Sequence, residues 1–324
     1  MRSSVTKAAI GATIVLLAVL SLSAVARQLP EAPSAQAPTQ KPTAPTASVP
    51  SSQPAPQASP AAAPPEKKII PASAERHFHA GTEFERDGDH HNAAVEYKAA
   101  IREYPDYAAA HYNLGRLYLD QKGYPEAIKE FKETLRIKPD NAEAHNNLGL
   151  ALKHNGDLTG AIAEYREAVR LNPKMASAQN NLANVLYTRR DFAGAIQHYK
   201  AALQIDPKSA QTHMNLGSAL DDAGRSDEAI AEYKEALKLD PRNAKIHYNL
   251  SIVYQKKKDM PAAIAELRDA AKLAPDWPTP HIMLTNLLKD SDAKAALDEC
   301  IVADGLTQDA KLHDQCLQLQ KKTQ

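Results

Sequence analysis

The feature that most constrains this chain is a sequence period of 34 residues. Prolines and leucines return with that period along most of the chain. The prolines are Pro105, Pro139, Pro173, Pro207, Pro241 and Pro275, and the leucines are Leu114, Leu148, Leu182, Leu216, Leu250 and Leu284. A fixed period of about this length is typical of repeat proteins, in which each unit forms one small supersecondary structure.

One unit, from Ala142 to Met175, indicates how a repeat folds. Apolar residues lie at helical spacing from Ala144 to Leu152 and from Leu158 to Leu171, which predicts two amphipathic helices, A and B. Pro173 ends helix B because proline has no N–H to donate to the helical ladder. Two helices alone leave apolar surface exposed, so the units must stack on one another.

The same unit carries the signature of a known family. The motif positions W-x2-L-G-x2-Y, A-x3-F and P of the tetratricopeptide repeat (TPR) correspond to His145, Leu148, Gly149, Leu152, Ala161, Tyr165, Ala168 and Pro173, with histidine replacing the tryptophan. From Ala74 to about Asp304 the chain therefore resembles TPR proteins. The resemblance implies an all-α fold, a right-handed TPR solenoid of about six to seven helix-turn-helix repeats with a C-terminal capping helix.

Small residues predict where the two helices of a unit approach each other. Gly149 on helix A and Ala161 and Ala168 on helix B leave room for close contact, and Tyr165 fills the remaining space. We therefore expect Gly149 to tolerate no large side chain, such as leucine. Glu164, by contrast, is expected at an exposed position.

The repeat register also divides the chain into segments. Six units begin at Ala74, Ala108, Ala142, Ala176, Ala210 and Ala244, and an aberrant seventh begins at Pro278. The solenoid is predicted at residues 73–306 and the capping helix at residues 307–324, with a helix break at Asp304-Gly305. Slots are numbered from the first residue of each unit, so that Ala142 is slot 1 and Gly149 is slot 8.

Residues 1–26 have the pattern of a secretory signal peptide. Arg2 and Lys7 precede an apolar stretch from Ala8 to Leu20, and Ala24-Val25-Ala26 forms a small-x-small cleavage site. The alternative is an uncleaved anchor from Ala8 to Ala26, since a membrane span needs about 20 predominantly apolar residues. Both interpretations predict a location outside the cytoplasm: exported, periplasmic or secreted, or anchored in the inner membrane facing outward.

Residues 27–72 are predicted to form a disordered tether. They are rich in Pro, Ala, Ser, Thr and Gln and have almost no large apolar side chains, so they bury too little surface to fold. In polyproline II geometry, at about 3.1 Å per residue, such a segment reaches on the order of 140 Å. A spacer across an envelope layer and an unselected linker remain alternative interpretations.

Composition argues against nucleic acid as a partner. The chain has 39 basic and 39 acidic residues, and no basic strip with interleaved aromatic residues occurs in the repeats. The only short basic run in the repeats is Lys256, Lys257 and Lys258, which we expect to form a solvated turn.

The sequence lacks the motifs of catalytic, cofactor and metal sites. Its glycines follow the repeat period, and neither G-x-S-x-G nor H-E-x-x-H occurs. Six histidines share slot 4: His77, His111, His145, His213, His247 and His281. Equivalent helices lie at least about 8 Å apart, whereas a zinc-bound nitrogen lies about 2 Å from the metal, so neighbouring histidines cannot share an ion. We predict a structural role for this slot, and no enzyme activity, cofactor or metal.

The motifs N-N-L-G at Asn146–Gly149 and Y-N-L-G at Tyr112–Gly115 resemble the repeat arm of the O-linked N-acetylglucosamine transferase. The chemistry of that enzyme lies in a separate glycosyltransferase domain, and this sequence has no such domain after about Asp304. The resemblance therefore implies a binding arm without catalysis. A remote alternative is an accessory subunit of a glycosyltransferase or of another envelope complex.

In the TPR family the A helices line a concave surface that binds extended peptides. Five asparagines share slot 6 of successive A helices: Asn113, Asn147, Asn181, Asn215 and Asn249. An Asn side chain offers an acceptor and two donors, so such a ladder could pair with a peptide backbone. Arg116, Lys153, Tyr187 and Asp221 vary between units and would supply selectivity. The competing interpretation is that asparagine is only a soluble filler of this slot.

The two cysteines, Cys300 and Cys316, occupy core-type slots of two helices that we expect to be antiparallel neighbours. In an oxidising compartment a disulfide between them would fasten the terminal cap. A pair of buried thiols is the alternative.

These observations favour a non-enzymatic scaffold outside the cytoplasm that binds proteins or extended peptides through the concave groove. The alternative is a structural or self-assembling envelope module, in which the chain associates with itself. Contact with a membrane is expected only through an uncleaved N-terminal anchor.

Overall fold

The computed structural model describes residues 69–324. The predicted signal peptide at residues 1–26 and the tether up to residue 68 lie outside the described residues, so both stay predictions. The described part consists of α-helices joined by short turns, without any strand. None of its helices is both long enough and apolar enough to span a bilayer.

Fifteen helices follow one another in residues 69–324. They are α1 Ala72–Arg86, α2 His90–Glu103, α3 Ala108–Asp120, α4 Tyr124–Ile137, α5 Ala142–His154, α6 Leu158–Leu171, α7 Ala176–Thr188, α8 Phe192–Ile205, α9 Ala210–Asp222, α10 Ser226–Leu239, α11 Ala244–Lys256, α12 Met260–Leu273, α13 Pro278–Leu288, α14 Ala293–Thr307 and α15 Ala310–Thr323. Odd-numbered helices up to α13 are the A helices of seven units, even-numbered helices are the B helices, and α15 follows the last unit. The predicted all-α solenoid is confirmed.

A left-handed residue joins helix A to helix B in each of the first six units. Slot 15 has a positive φ in all of them: Gly88, Lys122, Gly156, Arg190, Gly224 and Lys258. Glycine adopts this conformation without steric cost, whereas a residue with a Cβ atom loses about 1 to 2 kcal/mol there. The solvated turn predicted at Lys256–Lys258 is wrong for Lys256, which lies in α11 and pairs with Asp221.

Within a unit, an aromatic ring lies directly against the backbone of helix A. A Cβ atom added to Gly149 would lie 2.8 Å from the ring of Tyr165, which is 0% exposed. The same contact pairs Gly81 with Tyr97, Gly115 with Phe131 and Gly217 with Tyr233. The close approach predicted at Gly149 is confirmed.

The last two units solve the same packing problem with different side chains. Slot 8 is larger there, with Ser251 and Thr285. The place of the slot 24 ring is taken by smaller side chains, which are Leu267 in the sixth unit and Cys300 in the seventh, where one residue is missing before this position. All four residues are 0% exposed. Core density is therefore maintained by complementary changes in the two slots.

The A helices lie on the inner side of the stack. Besides touching their B partners, α3, α5, α7, α9 and α11 contact one another in succession. Within the described residues, no B helix makes a contact of the same extent with the next B helix. Successive helices are closer together on the inside of a curved stack, so the A helices line its concave side.

A histidine in slot 4 connects three parts of the stack. His145 donates from Nδ1 to Glu164 Oε2 at 2.6 Å and from Nε2 to the Pro139 carbonyl oxygen at 3.1 Å. We call this arrangement the histidine bracket, because it links helix A to its own helix B and to the end of the preceding unit. The prediction that Glu164 is exposed is wrong, since the pairing leaves only 27% of its side chain exposed.

The histidine bracket recurs along the stack. The other histidine–glutamate pairs, at 2.5 to 2.7 Å, are His77–Glu96, His111–Glu130, His213–Glu232, His247–Glu266 and His281–Glu299. The fourth unit exchanges the partners: His198 donates to Gln179 Oε1 at 2.7 Å, and Gln179 donates to the Pro173 carbonyl oxygen at 3.2 Å. The structural role predicted for slot 4 is therefore hydrogen bonding between helices and units.

The bracket also determines how the histidines titrate. Burial alone would lower the pKa of His145, but its hydrogen bonds to Glu164 and to the Pro139 carbonyl raise that pKa above the ordinary value. The pKa of His247 is raised chiefly by its hydrogen bond to the slot 23 glutamate. Burial beside a neutral partner instead lowers the pKa of His198. Both ring nitrogens of His145 face acceptor oxygens, and this arrangement favours the charged imidazolium, in which both nitrogens donate.

The C-terminal cap differs from the expectation at one point. α14 continues through Asp304-Gly305 to Thr307, so the helix break predicted there is wrong. The helix ends at Gln308, whose φ of 52° is left-handed, and α15 follows. Buried Cys300 and Cys316 are joined as a disulfide between α14 and α15, with Cα atoms 5.6 Å apart.

The packing against helix A predicts a steep cost for one added methyl group. Gly149→Ala should lower the free energy of unfolding by about 1 to 3 kcal/mol, because the new Cβ meets the buried Tyr165 ring. Gly305→Ala is the matched control. Open space surrounds Gly305 in α14, so this change should raise the same free energy by up to about 1 kcal/mol. Chemical denaturation followed by circular dichroism measures both, and equal effects would show that the ring does not limit the approach of the helices.

The histidine bracket predicts that stability falls as the pH rises. The pKa of His145 in the folded chain lies above the ordinary value of 6.5, so the contribution of His145 to stability is complete below pH 6.5 and is lost as the pH rises through the folded pKa. We therefore expect the denaturation midpoint to decline as the pH is raised above 6.5. The double variant His145→Gln with Glu164→His copies the pair Gln179 and His198 and should decline less. An equal or steeper decline in this variant would contradict the charged bracket.

Candidate functional site

The predicted asparagine ladder lies on the inner side and is already engaged in hydrogen bonds. Four of its amide nitrogens donate to the preceding unit: Asn113 to Tyr97 Oη at 3.3 Å, Asn147 to Tyr112 Oη at 3.1 Å, Asn181 to Asn146 Oδ1 at 3.0 Å and Asn215 to Asn184 Oδ1 at 3.2 Å. The ladder thus ties neighbouring units together, a structural role that sequence reasoning missed. Each amide keeps a second N–H and at least one oxygen lone pair for a ligand.

The fifth member of the ladder, Asn249, is placed differently. In the preceding unit, the slot 9 residue Ser218 is paired with the hydroxyl of Tyr233 at 2.9 Å. The side chain of Asn249 makes no hydrogen bond with any residue in the range 69–324, and it lines a cavity. Its amide is therefore the least committed of the five.

The four predicted selectivity residues occupy different surroundings. Three make polar contacts: Arg116 Nη2 with Glu85 Oε1 at 3.5 Å, Tyr187 Oη with Asp222 Oδ2 at 2.6 Å and Asp221 Oδ2 with Lys256 Nζ at 2.5 Å. Lys153 lies half-buried in the last turn of α5. The structure brings Tyr187 and Asp221 together at one cavity and leaves Arg116 and Lys153 outside it.

This cavity, the acidic cavity, has a volume of about 170 Å³. Its walls come from the fourth, fifth and sixth units: Tyr187, Ser218, Asp221, Asp222, Tyr233, Asn249, Ile252 and Lys256. Only 8% of the Asp221 side chain is exposed, against 50% of the Lys256 side chain. Burial and then the hydrogen bond to Asp222 raise the pKa of Tyr187 to about 12, so its hydroxyl remains a neutral donor at physiological pH.

The slot 24 tyrosines place hydroxyl groups between the two helix layers. Tyr199 donates to the slot 9 residue Asn184 at 2.7 Å. In the third unit slot 9 is Leu150, and the buried hydroxyl of Tyr165 has no hydrogen-bond partner in the described part of the chain. Burial raises the pKa of Tyr165. Since an unpaired buried hydroxyl costs about 1 to 3 kcal/mol, the third unit carries a local polar defect that the pattern of the repeat did not reveal.

One unit also brings three metal-binding side chains together. His247, Glu266 and Asp269 have ligand atoms within 4.8 Å of one another. Sequence reasoning missed this group because it compared histidines of neighbouring units, whereas these residues belong to one unit. Both ring nitrogens of His247 are engaged, by Glu266 at 2.7 Å and by the Pro241 carbonyl at 3.4 Å. A metal would have to displace these bonds, so we assign no ion to the group.

Comparison with protein families identifies the repeats along most of the solenoid. Models described as tetratricopeptide repeat match residues 78–142, 116–176 and 146–210, and another matches residues 244–276. A model described as TPR repeat matches residues 222–258. Together these matches cover more than half of the chain. No catalytic domain is evident among residues 69–324, and a search of curated proteins found no match.

Solved structures share this architecture. The MamA protein is 26% identical, with a TM-score of 0.50 over 53% of this chain and 94% of that chain. A tetratricopeptide repeat protein from Parabacteroides merdae ATCC 43184 is 18% identical, with a TM-score of 0.56 over 76% of this chain and 98% of that chain. YrrB, described as a TPR protein with an unusual peptide-binding site, is 20% identical, with a TM-score of 0.52 over 57% and 95%. At 18 to 20% identity the likeness concerns the fold alone.

Proposed function

The chain belongs to the tetratricopeptide repeat family, and from this premise we propose that it is a non-enzymatic scaffold that binds protein partners as extended peptides along the concave face. The observation that carries the proposal is the row of slot 6 amides on successive A helices, from Asn113 to Asn249. Four of these amides are held in place by bonds to the preceding unit. Held amides present their remaining donors and acceptors at a fixed spacing, which lowers the ordering cost of binding.

The spacing of the ladder suits an extended backbone. A helices about 8 to 10 Å apart and a strand rise of about 3.3 Å per residue place one amide near every third ligand residue. Amides can pair with backbone N–H and C=O groups whatever the ligand side chains are. YrrB, which shares the fold, is described as a TPR protein with an unusual peptide-binding site, and this supports peptide binding by a stack of such repeats.

We place this activity outside the cytoplasm. The basic residues Arg2 and Lys7, the apolar stretch from Ala8 to Leu20 and the small residues before Arg27 support export through a cleaved signal peptide. The Pro-rich tether would then separate the repeats from the N-terminal segment. Anchoring in the inner membrane through an uncleaved segment is the alternative, and it leaves the concave face equally accessible.

Self-association is a second candidate, favoured by apolar side chains near the C-terminus. Ile301, Val302 and Leu306 on α14 are 58%, 42% and 42% exposed, and Leu317 on α15 is 43% exposed. Such side chains could contact another copy of the chain. Light scattering at several concentrations distinguishes this candidate from a monomeric scaffold.

Replacing three ladder residues tests the proposed function. Asn147, Asn181 and Asn215 changed together to Ala should weaken binding of extended peptides at least about tenfold, since each lost neutral hydrogen bond contributes about 0.5 to 1.5 kcal/mol. The probe is an acetylated and amidated peptide pool of about twelve residues, long enough to follow the five helices of the ladder. Retention of the pool on the immobilised full chain measures the effect.

The control variant should lose about as much stability as the ladder variant without changing the ladder. Asn141 and Asn243 cap the N-termini of α5 and α11, and Asn172 lies in the turn after α6; all three side chains accept hydrogen bonds from backbone N–H groups. Changing these three to Ala should cost about 1 kcal/mol each in stability and leave peptide retention unchanged. Wild-type retention by the folded ladder variant would place binding elsewhere, on the convex surface or the tether.

A further inference from the structure

We propose that the acidic cavity receives one basic side chain, lysine or arginine, of a peptide lying in the concave groove. The inference rests on the proposed function and adds to it the chemical class of one ligand residue. The geometry points to a cation because two carboxylates, Asp221 and Asp222, line a space that contains a single lysine, Lys256. With Tyr187 neutral, the walls carry a net charge of −1.

The two carboxylates differ in their burial and in their hydrogen-bond and ion-pair partners. Only 8% of the Asp221 side chain is exposed, and a buried carboxylate requires a cationic or hydrogen-bonding partner. Lys256 supplies that partner at 2.5 Å. Asp222 is exposed at the cavity and accepts only a neutral hydrogen bond from Tyr187 at 2.6 Å. Its charge is therefore the one left without a counterion.

A cationic side chain of the ligand can replace Lys256 as the partner of Asp221. Half of its side chain is in solvent, so its ammonium group can return to water when another cation pairs with Asp221. The buried carboxylate then remains paired throughout the exchange. The ligand cation, unlike Lys256, would also pair with Asp222, which is exposed and lines the same cavity.

The remaining walls fit a long side chain with a charged end. A volume of about 170 Å³ accommodates one side chain rather than a folded segment. Ile252 offers apolar surface to the methylene stem, and the uncommitted amide oxygen of Asn249 can accept an N–H bond.

The acidic cavity would fix the position of a bound peptide along the groove. Slots 12 and 13 hold two carboxylates only in the fifth unit, at Asp221 and Asp222, whereas the third unit has Lys153 and His154 there. A basic ligand residue would therefore be preferred at one unit and not along the whole groove. Backbone pairing by the ladder and side-chain selection by this cavity are separable contributions.

Defined peptides test the proposal on the full chain. The host is an acetylated and amidated peptide of about twelve residues made of Ala, Ser and Thr, with one central residue varied between Lys, Arg, norleucine and Glu. Fluorescence anisotropy of the labelled peptides gives Kd. We expect Lys and Arg to bind about tenfold more tightly than norleucine, which has the same length without the charge, and Glu to bind most weakly.

Variants assign the preference to this cavity. Asp222→Asn, an exposed isosteric change, should abolish most of the advantage of Lys over norleucine, while Asp120→Asn, at the same slot of the second unit, should leave it intact. Lys256→Met should tighten binding of the Lys peptide and leave the norleucine peptide unchanged, because the competing ammonium is gone.

The outcomes separate the two proposals. Equal Kd values for Lys and norleucine, together with weaker binding of both by the ladder variant, would overturn the cavity proposal and leave the groove function in place. Absence of binding by every host peptide would overturn both. A Lys preference that survives Asp222→Asn would also contradict the assignment, since the cation would then be bound elsewhere.

Discussion

The contact between the slot 24 ring and the backbone of helix A is the constraint on which the rest of the structure depends. The ring of Tyr165 lies so close to Gly149 that an added Cβ would be 2.8 Å away. This contact sets the distance between the two helices of a unit. At that distance the slot 23 glutamate reaches the slot 4 histidine, and the histidine reaches the carbonyl of the preceding unit. The packing within one unit thereby positions the histidine that binds the preceding unit.

The polar groups of the concave face stabilise the stack, and in the proposed function they also bind the ligand. Most ladder amides already donate to the preceding unit, so the surface is ordered before any ligand arrives. We expect a ligand to bind the polar groups that have no partner within the protein. The uncommitted amide of Asn249 and the uncompensated charge of Asp222 lie at the same cavity, between the fourth and sixth units. The proposed selectivity is thus located where hydrogen bonding and ion pairing within the protein are incomplete.

The sequence predicted the fold well because the constraint is local and repeated. The period located every unit, and small residues such as Gly149 marked the close approach. Pairings between positions 19 residues apart were harder to foresee, and Glu164 was placed in solvent although it holds His145. The break expected at Asp304-Gly305 was also wrong, because an isolated glycine is tolerated within a helix and Gln308 takes the left-handed conformation instead. The groove chemistry depends on contacts between units, such as Asp221 with Lys256, which no single repeat contains.

Photo-crosslinking from matched slots tests the central claim, that partners bind along the concave face. A photoreactive residue would replace Leu150 or Ser218, in slot 9 of A helices, and in separate variants Lys132 or Lys234, in exposed slot 25 of B helices. After irradiation of intact cells, mass spectrometry would identify the attached peptide and the residue that was captured. We expect extended segments of the same partner at both inner positions and little capture at the outer ones. Capture chiefly from Lys132 and Lys234 would contradict the account.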